Sequence, residues 1–257
     1  GSVATITGNP QNILIGSFSG IQYLDFMIHL GPVALAGLFI DWAILHFAAK
    51  RWGGESLGAE ALEPLQPIDR SRLIKPAIVV AAVVSGFLAG FPPALVGALG
   101  AAAMLITRSR DPYQVYQEVD WGLLVFFVGL FLIVGGAEKA GITAHLLAFA
   151  NRWNLQNAGI FAVVVALLSN VVSNVPAVML VKSAVPGTAD PHVGWLVLAM
   201  ASTLAGNLTI TGSVANIIVV EQARKEAPIS FWDYFRVGLP VTVLTLLAGW
   251  LWLSWIR

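Results

Sequence analysis

Thr5-Ile6-Thr7-Gly8, followed by Asn12, recurs 204 residues later as Thr209-Ile210-Thr211-Gly212, followed by Asn216. Each copy lies in a long uncharged stretch and precedes an Asp, an aromatic residue, a Gly and a Pro, which are Asp25, Phe26, Gly31 and Pro32 in the first copy and Asp233, Tyr234, Gly238 and Pro240 in the second. Apolar helices that are interrupted twice in the same way are typical of secondary transporters built from two structural repeats. The sequence therefore predicts two related halves, with a binding site where their helices break.

The composition indicates a chain that lies in a lipid bilayer. Hydrophobic residues make up 57% of the 257 residues and charged residues only 11%, whereas about a quarter of a soluble domain is charged. The uncharged runs are each near or above the roughly 20 residues that span a bilayer, and they are 76–107, 121–137, 153–181, 193–220 and 237–256. With zero net charge and no cysteine, the chain gives no reason to expect a nucleic-acid partner or thiolate chemistry. We predict an all-α integral membrane protein.

The predicted organisation is one polytopic membrane domain over residues 1–257. Residues 1–48 form the end of the first repeat, 49–75 a cytoplasmic loop, and 76–257 the second repeat; the loop is assigned to the cytoplasm because Lys and Arg mark the inner side of a membrane. Since the first motif lies within five residues of the start, we expect the chain to be the C-terminal part of a longer transporter. Counting crossings from the loop makes the first motif run outward and the second inward, which predicts inverted repeats.

Two further interruptions lie between the motifs. Ser169-Asn170-Val171-Val172-Ser173-Asn174-Val175-Pro176 combines a proline, which removes a helix donor, with residues that favour caps and turns. We predict that this stretch is the tip of a re-entrant hairpin that enters from the outside. Gly90-Phe91-Pro92-Pro93 is predicted to divide the run 76–107 into two short helices, because proline cannot continue a helix interior.

The interruptions at 5–12, 169–176 and 207–216 predict the binding site. Non-helical backbone at membrane depth is tolerated only where it is buried in protein or lines a wet cavity. Free N–H groups at half-helix N-termini favour an anion, and free carbonyls at half-helix C-termini suit a cation such as sodium. Packing between helices is the alternative role for such residues, but it explains a lone asparagine better than duplicated clusters. The candidate substrate- and ion-binding residues are Thr5, Thr7, Gly8, Asn9, Asn12, Ser169, Asn170, Ser173, Asn174, Asn207, Thr209, Thr211, Gly212, Ser213 and Asn216.

Titratable residues outside the interruptions are predicted to be structural. Glu138 and Lys182, like other charged residues near predicted helix ends, are expected to snorkel or to form ion pairs. His29 and His46 are expected to be packed, neutral histidines. The sequence contains no zinc-spaced histidine cluster, phosphate loop or nucleophile triad, so we predict no enzyme activity, catalytic residue, metal site or cofactor other than a coupling ion.

The stretches 169–178, 205–216 and 231–236 resemble the ion transporter superfamily, and within it the arsenite permeases and the citrate-transporter-like anion permeases. The likeness runs from residue 1 to residue 257. It implies an inverted-repeat transporter with a scaffold and a moving transport domain, usually dimeric and often coupled to sodium or protons. We therefore expect a homodimer that crosses a prokaryotic cytoplasmic membrane several times.

In that family pattern, two hairpin tips and two broken helices form the site. Ser169, Asn170, Ser173 and Asn174 match one tip, and the residues that match the breaks are Thr7, Gly8, Asn9, Thr211, Gly212 and Ser213. Sodium/carboxylate relatives carry a Ser-Asn-Thr triplet at the tips, and this chain has Ser-Asn-Val instead.

The leading hypothesis is secondary active transport of a small anion, or of arsenite, by alternating access coupled to sodium or a proton. Sodium/proton antiport is the alternative within the same superfamily. An antiporter needs a titratable carboxylate in its wet core, and the three interruptions contain none. A receptor or structural membrane protein is the third reading.

Overall fold

The computed structural model describes residues 2–51, 70–106, 113, 116–117, 119, 121–141, 154–224 and 228–256, and no strand is present in these ranges. The α-helices are α1 (Pro10–Ser19), α2 (Tyr23–Arg51), α3 (Arg70–Leu88), α4 (Pro93–Ile106), α5 (Trp121–Lys139), α6 (Ala158–Val172), α7 (Asn174–Val181), α8 (Pro191–Leu204), α9 (Val214–Ala223) and α10 (Phe231–Trp255). Tighter 3-10 turns occupy Ser2–Ala4, Ile6–Gly8, Lys182–Gly187, Ala205–Asn207 and Ile210–Gly212. The all-helical prediction is confirmed for the described residues.

The chain divides into two compact units, Gly1–Ala48 with Phe127–Arg257, and Ala49–Phe126. The second unit contains the hairpin of α3 and α4, which turns at Gly90 in a left-handed conformation (φ 85°). Gly86 on α3 packs against Val96 on α4. This hairpin confirms the two short helices predicted around Gly90. All three predicted site segments belong to the first unit.

Helix α8 is the centre of the first unit. Asp190 caps it by accepting the backbone N–H groups of His192 (2.9 Å) and Val193 (3.2 Å), and Pro191 occupies its first position, where a missing N–H has no cost. Ten of its fourteen residues are buried, and it packs against α1, α6, α7 and α10. The helix therefore has little freedom to move relative to the elements that carry the site.

Helices α2 and α10 are long and apolar enough to cross a membrane, over Tyr23–Ala48 and Phe231–Trp255. One face of α10 packs inward, and the opposite face is an exposed stripe with helical spacing, made of Leu239, Val243, Leu247, Leu251 and Trp255. An exposed apolar stripe of this length is costly in water and favourable in hydrocarbon. The helix thus has the surface of a lipid-facing segment.

Side chains of α2 and α10 meet in antiparallel register. Trp252 Nε1 donates to the carbonyl oxygen of His29 at 2.9 Å. Gly249 faces Val33, and a β-carbon on Gly37 would lie 3.6 Å from Thr245 Cγ2. Residue numbers rise along α2 while the numbers of the residues they contact fall along α10, so the two helices run in opposite directions.

Several predicted boundaries need correction. The loop predicted at 49–75 is helical at both ends, because α2 continues to Arg51 and α3 begins at Arg70. Residues 52–69 lie outside the described part. The hairpin break predicted at 169–176 is narrower, since Ser173 alone separates α6 from α7. Pro176 lies in the first turn of α7, where its missing N–H leaves no helix bond unmade.

Candidate functional site

The two copies of the Thr-Ile-Thr-Gly motif have the same local structure. Each begins with an extended threonine, Thr5 (φ −135°, ψ 151°) and Thr209 (φ −134°, ψ 160°). Each then makes one 3-10 turn, in which Gly8 N bonds to Thr5 O (3.1 Å) and Gly212 N to Thr209 O (3.0 Å). A second extended residue follows before helix α1 or α9 begins. The repeat seen in the sequence is therefore also a repeat of backbone conformation.

The asparagine after each motif holds the broken backbone together. Asn12 Nδ2 donates to the carbonyl oxygen of Ser2 (3.2 Å) and to that of the motif's first threonine (3.0 Å). Asn216 Nδ2 makes the two corresponding bonds, to Gly206 O (2.7 Å) and to its own motif threonine (3.2 Å). Both asparagines lie in the first turn of a helix. Their side chains replace the helix bonds that the interrupted backbone cannot make.

A sharp turn at Ser173 joins α6 and α7, which pack against each other. Ser173 has φ 76° and ψ 159°, a combination in which residues other than glycine are strained. Strain of this kind persists where the surrounding structure holds it, and such places are frequently functional. This tip brings Asn170 at the end of α6 close to Asn174 at the start of α7.

The tip of this hairpin packs against the second break. Asn170 Nδ2 donates to Ala205 O and to Ala166 O, both at 3.0 Å; since two carbonyls fix the amide nitrogen, the Oδ1 atom faces the other way. A β-carbon on Gly212 would lie 3.2 Å from that Oδ1 and 2.8 Å from Gly206 O, and one on Gly206 would lie 3.4 Å from Asn174 Nδ2. The close approach of tip and break therefore requires glycine at position 212 and leaves little room at position 206.

Three side-chain oxygens of the hairpin are buried without a hydrogen-bond partner: Ser169 Oγ, Asn170 Oδ1 and Asn174 Oδ1. Most buried polar atoms in proteins are paired, because an unmade bond costs about 1–3 kcal/mol. Three such oxygens on one hairpin therefore point to a species that supplies a positive charge or hydrogen-bond donors to them.

Two helix N-termini at the same place lack a side-chain cap. Ser173 before α7 and Ser213 before α9 make no capping hydrogen bond. The helices around them are capped, α1 by Asn9, α6 by Asn157, α8 by Asp190 and α10 by Ser230. Asn174 and Ser213 both lie against Gly206, so the two uncapped ends are neighbours. Uncapped N-termini present free N–H groups and a partial positive charge, which favour an anion.

The first break is attached to the end of α8. Thr203 Oγ1 accepts from Asn9 Nδ2 (3.0 Å) and Gln11 Nε2 (3.4 Å) and donates to Asn12 Oδ1 (3.4 Å). Thr7 instead bonds to Tyr23 Oη at 2.9 Å, away from the hairpin tip. Among the predicted residues, the second break and the tip are thus brought into direct contact, and the first break joins them through Thr203.

Sequence reasoning missed Gln11 and Thr203. Gln11 is only 4% exposed, and its position beside Asn12 could have indicated a role. Thr203 precedes the second motif by six residues in an apolar run, where nothing distinguishes it from a packing residue. The expected partner of Lys182 is present, since its ammonium lies 3.6 Å from Glu138 Oε2.

Buried interrupted helices, with apolar exposed faces on the long helices, are features of helical membrane transport proteins. The citrate transporter family model, CitMHS, matches residues 1–205, and the chain belongs to this family.

Several relatives of the chain are named as transporters. An uncharacterized transporter of Mycobacterium tuberculosis is 31% identical over 99% of this chain and 65% of its own length. A candidate transporter of Dictyostelium discoideum, arsB, is 32% identical over 67% of the chain and 32% of its own length. The silicon efflux transporter LSI3 of rice is 28% identical over 97% of the chain and 66% of its own length. The chain thus spans about 65% of the length of the first of these relatives.

Proposed function

We propose that this protein is a secondary active transporter that moves a small anion, or arsenite, across the cytoplasmic membrane by alternating access coupled to a cation. The observation that carries the proposal is the contact between two uncapped helix N-termini at Gly206. Asn174, at the start of α7, and Ser213, before α9, lie against the same glycine, and the first N–H groups of both helices have no side-chain cap. These neutral donors bind an anion or a hydroxylated oxyacid without an opposite charge that would hold it too tightly to be released.

The buried oxygens of the tip are suited to the coupling ion. Ser169 Oγ, Asn170 Oδ1 and Asn174 Oδ1 lack partners, and hard cations take oxygen ligands of this kind. A sodium ion bound there would also offset the negative charge of a substrate at the N-termini. Residues 5–12, 169–176 and 207–216 contain no Asp or Glu, so a carboxylate that could exchange a proton for sodium is missing from these segments. Cation-coupled anion transport is therefore favoured over sodium/proton antiport.

We also propose that the transporter contains an inverted repeat and a re-entrant hairpin. Helices α2 and α10 follow corresponding motifs, and their antiparallel register supports an inverted relation between the halves. Helices α6 and α7, with 15 and 8 residues, extend about 22 Å and 12 Å at 1.5 Å per residue, short of a hydrocarbon core of about 30 Å. A hairpin of this length reaches into the bilayer without crossing it. Multiple crossings and a homodimer follow from the family resemblance.

The test is the thermal stability of the complete, detergent-purified protein with citrate, phosphate, arsenite and silicic acid, each with and without sodium. Citrate and silicic acid are included because the family and the rice relative are named for them. A ligand bound only by the folded state stabilises by about 2.7 kcal/mol at a hundredfold excess over Kd. We expect one of these compounds to raise the unfolding temperature, with a larger rise in sodium.

Matched variants locate the binding. Asn174→Ala is expected to abolish the ligand-induced rise. Asn157→Ala removes the cap of α6 and should lower the basal stability by about 1 kcal/mol while keeping the rise. A rise with sodium alone that depends on pH and ignores every anion would overturn the proposal in favour of antiport.

A further inference from the structure

A carboxylate and two imidazoles meet outside the broken helices. Asp25 Oδ2 lies 2.8 Å from His192 Nε2, and Asp25 Oδ1 lies 3.0 Å from His29 Nδ1. The two imidazole rings are 5.3 Å apart, edge to face. The three side chains are 27–43% exposed, so they are held in place and still accessible to protons. The expectation that His29 is simply a packed histidine needs correction.

The hydrogen bonds determine where a proton can bind. His29 Nδ1 faces two acceptors, Asp25 Oδ1 and the Asp25 carbonyl oxygen at 2.8 Å, so this nitrogen carries a hydrogen. His192 Nε2 likewise donates to the ionised carboxylate. An added proton therefore binds the opposite nitrogen of either ring. The cluster then changes from a charge of −1 to zero, and the hydrogen bond to Asp25 becomes stronger because donor and acceptor are then both charged.

The contacts of Asp25 with two histidines are not repeated at Asp233, the corresponding aspartate of the second motif. Asp233, which corresponds to Asp25, lies 2.5 Å from the Ser230 hydroxyl at the N-terminus of α10. It also faces Arg236 at 3.8 Å. An aspartate in the first turn of a helix is commonly there to complement the helix dipole, and Asp233 fits that role. Asp25 differs because both of its oxygens contact histidines, one of them from another helix.

The remaining charged groups on the neighbouring elements have other partners. On α8, Asp190 accepts the backbone N–H of His192 and adds negative charge nearby. Lys182, in the turn before α8, pairs with Glu138 and lies over the Phe18 ring. From α10, the neutral Trp252 indole donates to His29 O, and α1 carries no charged residue. In the part of the chain that the structure describes, Asp25 has no ion-pair partner other than the two histidines.

Helix α8 links this cluster to the broken helices. His192 lies in its first turn, and Thr203, which holds the first break, lies in its last turn, about 16 Å further along at 1.5 Å per residue. The carbonyl of Ala205, directly after α8, accepts from Asn170 at the hairpin tip. Because α8 is almost wholly buried and its far end contacts both breaks, a stronger or weaker hydrogen bond to its first turn can alter the packing of both breaks.

We propose that Asp25, His29 and His192 form a proton-binding site whose occupancy strengthens the joint between α2 and α8 and changes the transport rate. The inference rests on the proposed transport function, but the proton site can be measured without it. Histidine is the side chain that gains charge between about pH 5 and pH 8. Through this site, transport is expected to depend on pH.

Proton binding is tested first, by NMR of labelled histidine side chains in the complete purified protein. We expect the titration midpoint of His192 in the wild type to move in both Asp25→Asn and His29→Gln, because the three groups interact. His46→Gln is the matched control, since His46 lies on the same helix but stacks on Trp42. A His192 midpoint that is the same in wild type and Asp25→Asn would overturn the proposal.

Transport in proteoliposomes is the second readout. In the wild type, the transport rates at about pH 5.5 and about pH 8 are expected to differ by about fivefold or more, which is the lower end of typical coupling between two sites. In His192→Gln the ratio of the two rates should approach one. In His46→Gln the ratio should stay as in the wild type. Unchanged pH dependence in His192→Gln would overturn the link to transport. If no substrate is transported at all, the proposed function fails while the histidine titration still decides the proton site.

Discussion

At the scale of single residues, asparagine, glycine and serine form the candidate site. Asparagines tie the broken backbone to its own carbonyls, as Asn12 and Asn216 do. Glycines allow two backbones and a side chain to approach one another. Unpaired side-chain oxygens at the hairpin tip then remain free for a ligand. The chemistry is neutral throughout, which suits a site that must bind a solute and also release it.

Gly212→Ala tests the close approach. A β-carbon at Gly212 would lie 2.8 Å from Gly206 O, so we expect alanine to lower the free energy of unfolding by about 1–3 kcal/mol and to abolish the ligand-induced rise in unfolding temperature. Gly31→Ala in α2 is the control, because a β-carbon on Gly31 would have no atom within 4 Å. Alanine there should be neutral or stabilising by about 0.5–1 kcal/mol. Equal behaviour of the two variants would contradict the packing described for the second break.

At the scale of elements, the hairpin of α6 and α7 reverses direction at a single residue. Ser173 carries the whole reversal in one residue with a positive φ. The α7 helix is only eight residues long, so its N-terminal N–H groups lie at the tip and its other end reaches the turn at Lys182. The N-terminus of α7 thus faces the second break. The α7 helix then runs back toward the end of the first unit where α6 begins.

Ser173→Gly tests the strain at the tip. Glycine tolerates this conformation, and relief of about 1–3 kcal/mol should exceed the roughly 0.5–1 kcal/mol that glycine loses in chain entropy. We expect a higher unfolding temperature for Ser173→Gly. Ser173→Ala keeps the β-carbon and removes only the hydroxyl, so it should not stabilise. The same unfolding temperature in both variants would show that Ser173 is not strained.

At the scale of the whole molecule, several helix ends meet at one end of the first unit. The start of α2 contacts the start of α8 through Asp25 and His192, and the end of α10 contacts α2 through Trp252. Ala189 N lies 3.5 Å from Gln156 O, which places the start of α6 there as well. These ends are the ones predicted to face outward from loop charge and the count of crossings.

Cysteine labelling tests this orientation. In a version of the complete protein without other reactive cysteines, Gln22→Cys and Gly187→Cys are expected to react with an impermeant maleimide in intact cells. Gln222→Cys, at the exposed end of α9, should react only after the membrane is opened. Because the inverted arrangement requires opposite sides for residues 22 and 222, labelling of both from the outside would rule it out.

The sequence by itself determined the helical class, the duplicated breaks and the polar residues within them, because each depends on local patterns: uncharged runs, a repeated motif and residues that interrupt a helix. It placed the hairpin break at 169–176 too broadly, since proline is acceptable in a first helical turn. Only the tertiary structure decided that Thr203 joins the first break to α8, that two uncapped N-termini meet at Gly206, and that Asp25 lies between His29 and His192. Those contacts join residues far apart in sequence, and they depend on how helices pack, which no local pattern records.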